Sequence, residues 1–350
     1  MPESLASAAI AFATTLLLLY VLRPISVRIG LVDSPSGRKQ HEGHVPLIGG
    51  IAMYFGFVIA VLTLPVGLTA LRPFFAASAI LVLVGLLDDM KELSSRARFA
   101  AQIFAAAIMV WWGQVALFDL GFIGSGGGLF ALPGWEVVFS VFCAVGVINA
   151  LNMVDGLDGL AGGLALVPVL GLAVLAHDAG AAADRDVLVL LGVVCVAFLC
   201  VNLRLPWRAR ALVFMGDAGS MFLGFAITWF VIKLSQGPDR AMPPVTALWL
   251  LLVPLFDTVW LLFKRPLTGR SPTSAGQEHL HHVLGMMGLS VNATVAVIWS
   301  LSVLCACLGV WAAREEIPEK TQFLAFLGLF ALYCAVMALA WRRRPGRYRS

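Results

Sequence analysis

Apolar runs of about 20 residues recur along the whole chain, separated by short polar connections. This is the length that an α-helix needs to cross the hydrocarbon core of a bilayer. Lipid offers no hydrogen-bond partners, so the backbone of such a run must satisfy its own polar groups, which a helix does. The sequence therefore predicts an all-α, polytopic integral membrane protein.

Composition leaves no room for a separate soluble domain, because 60% of the residues are hydrophobic and only 13% are charged. We therefore expect residues 1–350 to form one transmembrane domain. Hydropathy predicts about eleven spans. They lie near residues 5–22, 47–66, 74–87, 99–117, 137–150, 160–176, 187–203, 213–233, 245–263, 291–312 and 322–341.

The distribution of Lys and Arg predicts the orientation. Met1–Ser4 carries neither, and Arg23 and Arg28 follow the first run, which argues against a cleaved signal peptide. One alternating set of connections holds 18 of the 24 Lys and Arg residues. That set comprises residues 23–46, 88–98, 149–159, 204–212, 264–290 and 342–350. The positive-inside rule places it in the cytoplasm, with the N-terminus outside and the C-terminus cytoplasmic. The net charge of +4 then reflects membrane anchoring and does not indicate a nucleic-acid partner.

A polar, glycine-rich segment, Asn149–Gly163, interrupts two apolar runs. Asn149, Asn152, Asp155 and Asp158 follow one another in three-residue steps, which on a helix would stack them on one face. Such a segment beside the membrane is costly unless a cation or a strongly hydrogen-bonding ligand meets it. The alternative is a solvated loop.

Further acids fall on the same predicted face of the membrane. Asp88 and Asp89 follow an apolar run directly, and they could hold a divalent cation or act as a base. A helix C-terminus disfavours negative charge, so this pair requires compensation. Asp217 lies between Gly216 and Gly219 and is a candidate ligand for a hard cation. Asp257, one turn inside a predicted span, could be functional or could pair helices.

Two cytoplasmic connections carry candidate phosphate contacts. Arg38, Lys39 and His41 lie in a turn-rich segment, although a basic flank of a membrane span would look the same. His279, His281 and His282 could bind a metal, shuttle protons or contact phosphate. With acids abundant and no thiolate nearby, phosphate contact is the favoured interpretation.

Glycines and cysteines outside these motifs have simpler interpretations. Gly49 and Gly50 open a predicted span, which predicts a close contact between helices. Gly121–Gly134 lacks the strand, helix and Lys of a phosphate-binding loop and reads as a connector. All six Cys lie within apolar runs, without the spacing of a metal site.

Taken in order, these stretches resemble the polyprenyl-phosphate N-acetylhexosamine-1-phosphate transferase family over nearly the whole chain. Within that family the chain is most similar to the branch that uses UDP-GlcNAc and undecaprenyl phosphate. The matching stretches are Val32 to Gly50, Asp88-Asp89, Asn149 to Gly159, Phe214 to Ser220, Pro244 to Trp249 and His279 to His282.

The resemblance assigns the candidate residues to three groups and implies Mg²⁺, or Mn²⁺, as cofactor. The metal ligands would be Asp217 and Asn152. The catalytic residues would be Asp88, Asp89, His279, His281 and His282. The substrate-binding residues would be Arg38, Lys39, His41, Asn149, Asp155, Asp158 and Phe214.

The implied reaction transfers GlcNAc-1-phosphate from UDP-GlcNAc to undecaprenyl phosphate. It would take place at the cytoplasmic face of a bacterial inner membrane. It would be the first membrane step in the synthesis of a cell-surface polysaccharide such as lipopolysaccharide O-antigen. Its partners are these two substrates and membrane lipid, without nucleic acid, and a homodimer stays open. Where the family often has Pro-Asp-Arg, this chain has Ala275-Gly276-Gln277, so the sugar is less firmly implied. Glu92 for Asp and Leu280 for Ile are milder departures.

Three alternatives remain. The sugar donor could be another UDP-N-acetylhexosamine or a UDP-MurNAc-peptide. A secondary transporter would line a path with its charges, but these acids gather at one face and no matching halves are evident. A CDP-alcohol phosphatidyltransferase would need a different order of acids.

Overall fold

The described part of the chain is a bundle of helices with a small two-stranded sheet. The computed structural model describes residues 2–33, 45–124, 127–269, 271, 276 and 278–342. The sheet is antiparallel and pairs β1 (Val32–Asp33) with β2 (Val45–Pro46). The helices are α1 (Pro2–Ile29), α2 (Gly49–Val61), α3 (Arg72–Lys91), α4 (Ser95–Trp111), α5 (Glu136–Val154), α6 (Leu160–Asp178), α7 (Ala182–Asn202), α8 (Gly216–Ser235), α9 (Pro244–Leu250), α10 (Leu252–Leu267), α11 (Leu280–Met286), α12 (Val291–Arg314) and α13 (Glu319–Arg342).

Seven helices in the described part of the chain are long and apolar enough to cross a membrane. They are α1, α3 with the 3₁₀ turn before it, α5, α6, α8, α12 and α13. The pair α9 and α10 would make an eighth span, bent by 84° at its break. The all-α, polytopic membrane architecture is confirmed. A helix or this pair lies on each of the eleven predicted segments, but the count of eleven spans stays a prediction.

The bend between α9 and α10 has a local cause. Leu251, between the two helices, leaves helical geometry with φ −106° and ψ 13°. Pro254 follows in the first turn of α10, where its missing N–H costs nothing but where it cannot continue the hydrogen bonding of α9. The break therefore lies where proline requires it, and it sets α10 at a steep angle to the rest of the span.

Helix α8 is the core of the bundle. In its most apolar stretch 94% of the residues are buried. The helix packs against α2, α3, α5 and α6. Aromatic side chains from all around the helix fill the interior, among them Phe222, Phe225, Trp229 and Phe230. A helix that is apolar on every side lies either in lipid or inside the protein, and α8 is surrounded by other helices. Its first turn, which carries Asp217, is therefore held firmly in place.

The two ends of the bundle differ in their chemistry. The last turns of α3, α5 and α7 meet the first turns of α6 and α8 at one end, which we call the site end. At the far end, ion pairs join helix termini: Arg314 to Asp178 at 2.7 Å and Lys233 to Asp184 at 2.6 Å. These four charges are thus matched within the protein, and most predicted site residues lie at the site end.

Candidate functional site

Asp217 and Asn152 meet at the centre of the site end. Asp217 lies in the first turn of α8 and Asn152 in the last turn of α5. The Asn152 Nδ2 donates hydrogen bonds to Asp217 Oδ1 and, at 2.9 Å, to Ser220 Oγ. The structure thus brings together the two predicted metal ligands, which are 65 residues apart in the chain.

Asp88 is buried in the last turn of α3, and each of its carboxylate oxygens accepts a hydrogen bond. Its Oδ1 accepts the backbone N–H of Leu93 at 2.6 Å, and its Oδ2 lies 2.9 Å from Nη1 of Arg98. The same guanidinium atom lies 3.6 Å from Asp217 Oδ2. These contacts supply the compensation that a negative charge at a helix C-terminus requires. They also make Arg98 a cation shared by two carboxylates.

Asp89 stabilises another helix. Its Oδ1 accepts the backbone N–H of Asp217 at 2.9 Å, and its Oδ2 accepts that of Ala218 at 3.4 Å. The first N–H groups of a helix have no partner within that helix and carry its positive dipole end, so a carboxylate there is stabilising. Gly216 has a positive φ of 70°, and a Cβ on it would lie 2.5 Å from Asp89 Oδ2. Only glycine permits this cap.

Glycines let α2 and α3 approach α8 closely. A Cβ on Gly50 would lie 2.1 Å from the backbone N of Gly219, and a Cβ on Gly85 would lie 2.4 Å from Cα of Ala218. Both distances are too short for any side chain. The predicted close contact of helices at Gly50 is confirmed, and it holds the first turn of α8 from two sides.

Phe214 joins the end of the first connection to α8 through its backbone. Its N–H donates to Pro46 O at 2.8 Å, and its C=O accepts from Gly49 N at 2.9 Å. The segment after β2 is thereby fixed beside Asp217. The predicted phosphate contacts Arg38, Lys39 and His41 precede this segment and lie outside the described residues.

The segment Asn149–Gly163 is not one continuous helix, so the predicted stacking of its four polar side chains on one face is wrong. Helix α5 ends at Val154, and α6 begins only at Leu160. The Asn149 Nδ2 donates to Gln102 Oε1 on α4 at 2.6 Å, which makes Asn149 a helix-pairing residue in this structure. Three-residue steps stack side chains only while the helix continues.

The two acids of this segment have different surroundings. Asp155 is exposed and lies within electrostatic reach of Asp217 and Asp158. Asp158 is largely covered, and its Oδ2 accepts from Arg204 Nε at 2.7 Å and from the backbone N of Ala211 at 3.1 Å. Asp158 therefore holds the connection before α8, whereas the side chain of Asp155 stays exposed.

The three histidines form a stacked cluster that contacts the acidic segment. The rings of His279 and His281 are 5.5 Å apart at 14°, and those of His281 and His282 are 4.1 Å apart. A Cβ on Gly156 would lie 2.6 Å from Nε2 of His281, so glycine there lets the cluster reach the residue after Asp155. Burial, together with the neighbouring His282 and His279, lowers the pKa of His281 to about 3. His281 is thus neutral at neutral pH, and its buried Nε2 has no hydrogen-bond partner within the described residues.

The contacts of two acidic side chains link the histidine cluster to α10. Asp257 Oδ2 lies 2.7 Å from His279 Nδ1. Glu278 is buried with two cations, at 3.1 Å from Lys264 Nζ and 3.6 Å from Arg265 Nε. Of the Ala275-Gly276-Gln277 departure, only Gly276 is described. This chain lacks the acid and the cation of the Pro-Asp-Arg that the family often has there. Lys264 and Arg265 nevertheless place positive charge beside the histidines.

The oxygen donors fit a magnesium or manganese ion. Asp217, Asp88 and Asn152 carry hard oxygen atoms on three different helices. Among the described residues no group of three or more His, Cys, Asp or Glu is arranged to hold a metal by itself. Mg²⁺ usually binds one or two carboxylates together with substrate phosphates, so this donor set suits an ion that arrives with its substrate.

Several residues that complete the site were missed in the sequence. They are Arg98, Gln102, Asn202 and Arg204. Asn202, for example, accepts from Gly159 N at 2.7 Å and donates to Val213 O at 2.9 Å, which links the acidic segment to α8. Their only signal was a polar side chain at the site-end terminus of a span.

Comparison with known proteins gives concordant matches. Residues 71–235 match glycosyl transferase family 4. Proteins named undecaprenyl-phosphate alpha-N-acetylglucosaminyl 1-phosphate transferase from Escherichia coli K12 and Yersinia pestis are 32% and 34% identical over 95% of this chain and 90% of their own lengths. The protein of that name from Haemophilus influenzae is 34% identical over 95% of this chain and 94% of its own length.

Proposed function

The chain belongs to the polyprenyl-phosphate N-acetylhexosamine-1-phosphate transferases, and on that premise we propose that it transfers GlcNAc-1-phosphate from UDP-GlcNAc to undecaprenyl phosphate. The products are undecaprenyl-diphospho-GlcNAc and UMP. The observation that carries the proposal is the likeness to these transferases over nearly the full length of both chains. The product would prime a cell-surface polysaccharide such as lipopolysaccharide O-antigen.

The reaction joins a water-soluble nucleotide to a membrane-buried lipid, which requires a polar site at the end of apolar helices. The site end meets this requirement. Beside it, α10 exposes Leu262, Phe263 and Leu267, and these side chains offer an apolar wall for the isoprenoid. With eleven spans, the distribution of Lys and Arg supports a site end and a C-terminus in the cytoplasm. The membrane would be a bacterial inner membrane.

Asp217, Asn152 and Asp88 would hold Mg²⁺ or Mn²⁺, which when bound neutralises negative charge on the diphosphate. Arg98, which reaches both Asp88 and Asp217, places a fixed positive charge where the two phosphates must approach each other. Asp155 and the ring of Phe214 would contact the uridine. Asp158 would support that pocket through Arg204. The histidine cluster would contact the diphosphate.

We propose a single displacement, in which the carrier phosphate attacks the β-phosphorus of UDP-GlcNAc and UMP leaves. A phosphate monoester has a second pKa of about 6, so the carrier is already a competent nucleophile at neutral pH. A covalent route would need Asp88 or Asp89 to act as the nucleophile. Both oxygens of each carboxylate accept hydrogen bonds, from Leu93 and Arg98 in one case and from the first turn of α8 in the other, and these bonds stabilise the carboxylate and weaken it as a nucleophile.

Purified protein in detergent, supplied with Mg²⁺, undecaprenyl phosphate and radiolabelled UDP-GlcNAc, tests the reaction. We expect a labelled lipid and an equal amount of UMP. Parallel reactions with UDP-GalNAc and with UDP-MurNAc-pentapeptide test the alternative donors. Lipid product from one of those donors alone would overturn the choice of GlcNAc, and no product from any donor would overturn the proposed function.

Isotope exchange tests the mechanism. Labelled UMP should not exchange into UDP-GlcNAc with delipidated enzyme, because single displacement requires the carrier. Addition of undecaprenyl phosphate should start the exchange. Robust exchange without lipid would demand a covalent intermediate.

A further inference from the structure

Asp257 is a buried acid on α10 whose contacts are specific. Its side chain is 2% exposed. Oδ2 lies 2.7 Å from His279 Nδ1, while Oδ1 lies 2.8 Å from the backbone N of Leu280 and 3.0 Å from the hydroxyl of Tyr333. Three donors from the histidine segment, α11 and α13 thus converge on one carboxylate.

A buried carboxylate is costly unless hydrogen bonds replace its lost water. An ionised carboxylate only accepts hydrogen bonds, so Nδ1 of His279 must carry the proton in this contact. Because Leu280 and Tyr333 both occupy Oδ1, the other oxygen is left to His279. The carboxylate therefore specifies one tautomer of His279 when the ring is neutral.

The same contacts fix the direction of the ring. Asp257 holds one edge, and His281 lies parallel to the ring face at 5.5 Å. In an imidazole the two nitrogens point in diverging directions, so Nε2 is directed away from α10. A carboxylate that binds one nitrogen of a histidine commonly sets the tautomer and orientation of the other.

We propose that Asp257, supported by Tyr333, is a positioning residue that holds His279 with its proton on Nδ1 and presents Nε2 to the phosphates of the substrate. Asp257 acts through His279 and does not itself touch substrate. Only the contact of His279 with substrate rests on the proposed function, since the tautomer is a property of the protein alone.

The substitution Asp257→Asn tests the proposal with little change of volume. Its carboxamide oxygen can still accept from Leu280 and Tyr333, while its amide group would face Nδ1 and donate, which shifts the proton of His279 to Nε2. We expect a thermal midpoint close to that of the wild type, a fall in kcat of at least about 100-fold and little change in KM for UDP-GlcNAc. Asp184→Asn, at the far end, is the matched control and should leave kcat unchanged.

A double-mutant cycle separates positioning from packing. If Asp257 acts through His279, Asp257→Asn should add little to the loss caused by His279→Gln, because the two residues form one unit. A kcat within about threefold of wild type for Asp257→Asn, or fully additive losses in the cycle, would overturn the proposal.

The tautomer can be measured without activity. Solid-state NMR of the wild-type protein with ¹⁵N-labelled histidine in lipid, with the His279 signals assigned by their loss in His279→Gln, should show a protonated Nδ1. A proton on Nε2 of neutral His279 would overturn the proposal even if Asp257→Asn failed to fold. Wild-type protein that showed the expected tautomer but transferred no sugar phosphate would sustain the positioning of His279 and overturn the proposed function instead.

Discussion

At the scale of single residues, neighbouring acids in the site have separate tasks. Asp88 is paired with Arg98, Asp89 caps α8, and Asp217 contacts Asn152 at the centre. Asp217 is partly exposed and Asp155 is exposed, so both can be reached from outside the protein. The adjacency of two acids in the sequence therefore does not imply that they act as a pair.

Asp217→Asn should abolish turnover without unfolding the protein. The substitution keeps the size of the side chain and a hydrogen-bonding group for Asn152, but it removes a charged ligand worth several kcal/mol of transition-state stabilisation. We expect kcat to fall by at least about 10³-fold. Electron paramagnetic resonance of Mn²⁺ in the presence of UDP-GlcNAc should show weaker ion binding. Near-normal turnover would refute the metal assignment.

His281 should make stability sensitive to mild acid. An unfolded His281 takes up a proton near pH 6.5, whereas the folded residue resists protonation down to about pH 3. Below pH 6.5 the unfolded state therefore binds more protons, and stability falls as the pH decreases through this window. We expect His281→Gln to show a smaller drop in thermal midpoint between pH 7 and pH 5 than the wild type. The exposed His177, substituted in the same way, should behave like the wild type, and an equal drop in all three proteins would contradict the assignment.

At the scale of elements, the first turn of α8 organises the site. It is capped by Asp89 from α3, it is bound through Phe214 to the segment after β2, and it is approached closely by α2 and α3. Membrane helices associate through close packing and hydrogen bonds, because lipid is as apolar as their surfaces and no hydrophobic effect drives them together. The close contacts at the glycines and the Asp89 cap thus hold these helices together, as burial of apolar side chains does in a soluble protein.

Gly50→Ala should separate α2 from α8. The added methyl group would lie 2.1 Å from a backbone nitrogen, which cannot move aside as a side chain could. We expect a loss of about 1–3 kcal/mol or more, measured as a lower thermal midpoint, together with reduced turnover. Gly146→Ala on α5 is the control because a Cβ there meets nothing within 4 Å. That substitution should be neutral or should stabilise the helix by up to about 1 kcal/mol. Equal effects of the two would show that the close approach at Gly50 is unimportant.

At the scale of the whole molecule, the candidate functional residues gather at the site end. The far end joins its helix termini through ion pairs, whereas the site end leaves Asp155 exposed and carries the shared cation Arg98. This polarity matches a protein that takes a soluble substrate from one side of a membrane.

Reporter fusions can test that orientation. A reporter active only in the periplasm should be active when fused after Gly128, which belongs to the far end. The same reporter fused after Gly269, in the connection that follows α10, should be silent. We expect this result because the predicted cytoplasmic connections hold 18 of the 24 Lys and Arg residues. Reversed activities would place the site on the wrong side for UDP-sugars.

The sequence by itself determined the class of fold, and it predicted most of the candidate residues that the structure brings to the site end. Apolar runs predict helices because lipid leaves the backbone no other partner, and Lys and Arg predict sidedness. The close contact at Gly50 and the meeting of Asp217 with Asn152 also agree with what was expected. These features depend on local composition or on motifs that the family resemblance had already grouped.

Only the tertiary structure decided which side chains face one another. Asp89 contacts a backbone 128 residues away, Asp257 meets a hydroxyl 76 residues away, and Asp158 meets an arginine 46 residues away. Hydropathy does not predict which helices are neighbours, because the faces that contact lipid and the faces that contact other helices are equally apolar. The end of α5 at Val154 was likewise hidden, because three-residue spacing persists in the sequence after the helix has stopped. The division of labour among these acids therefore follows from how the helices pack.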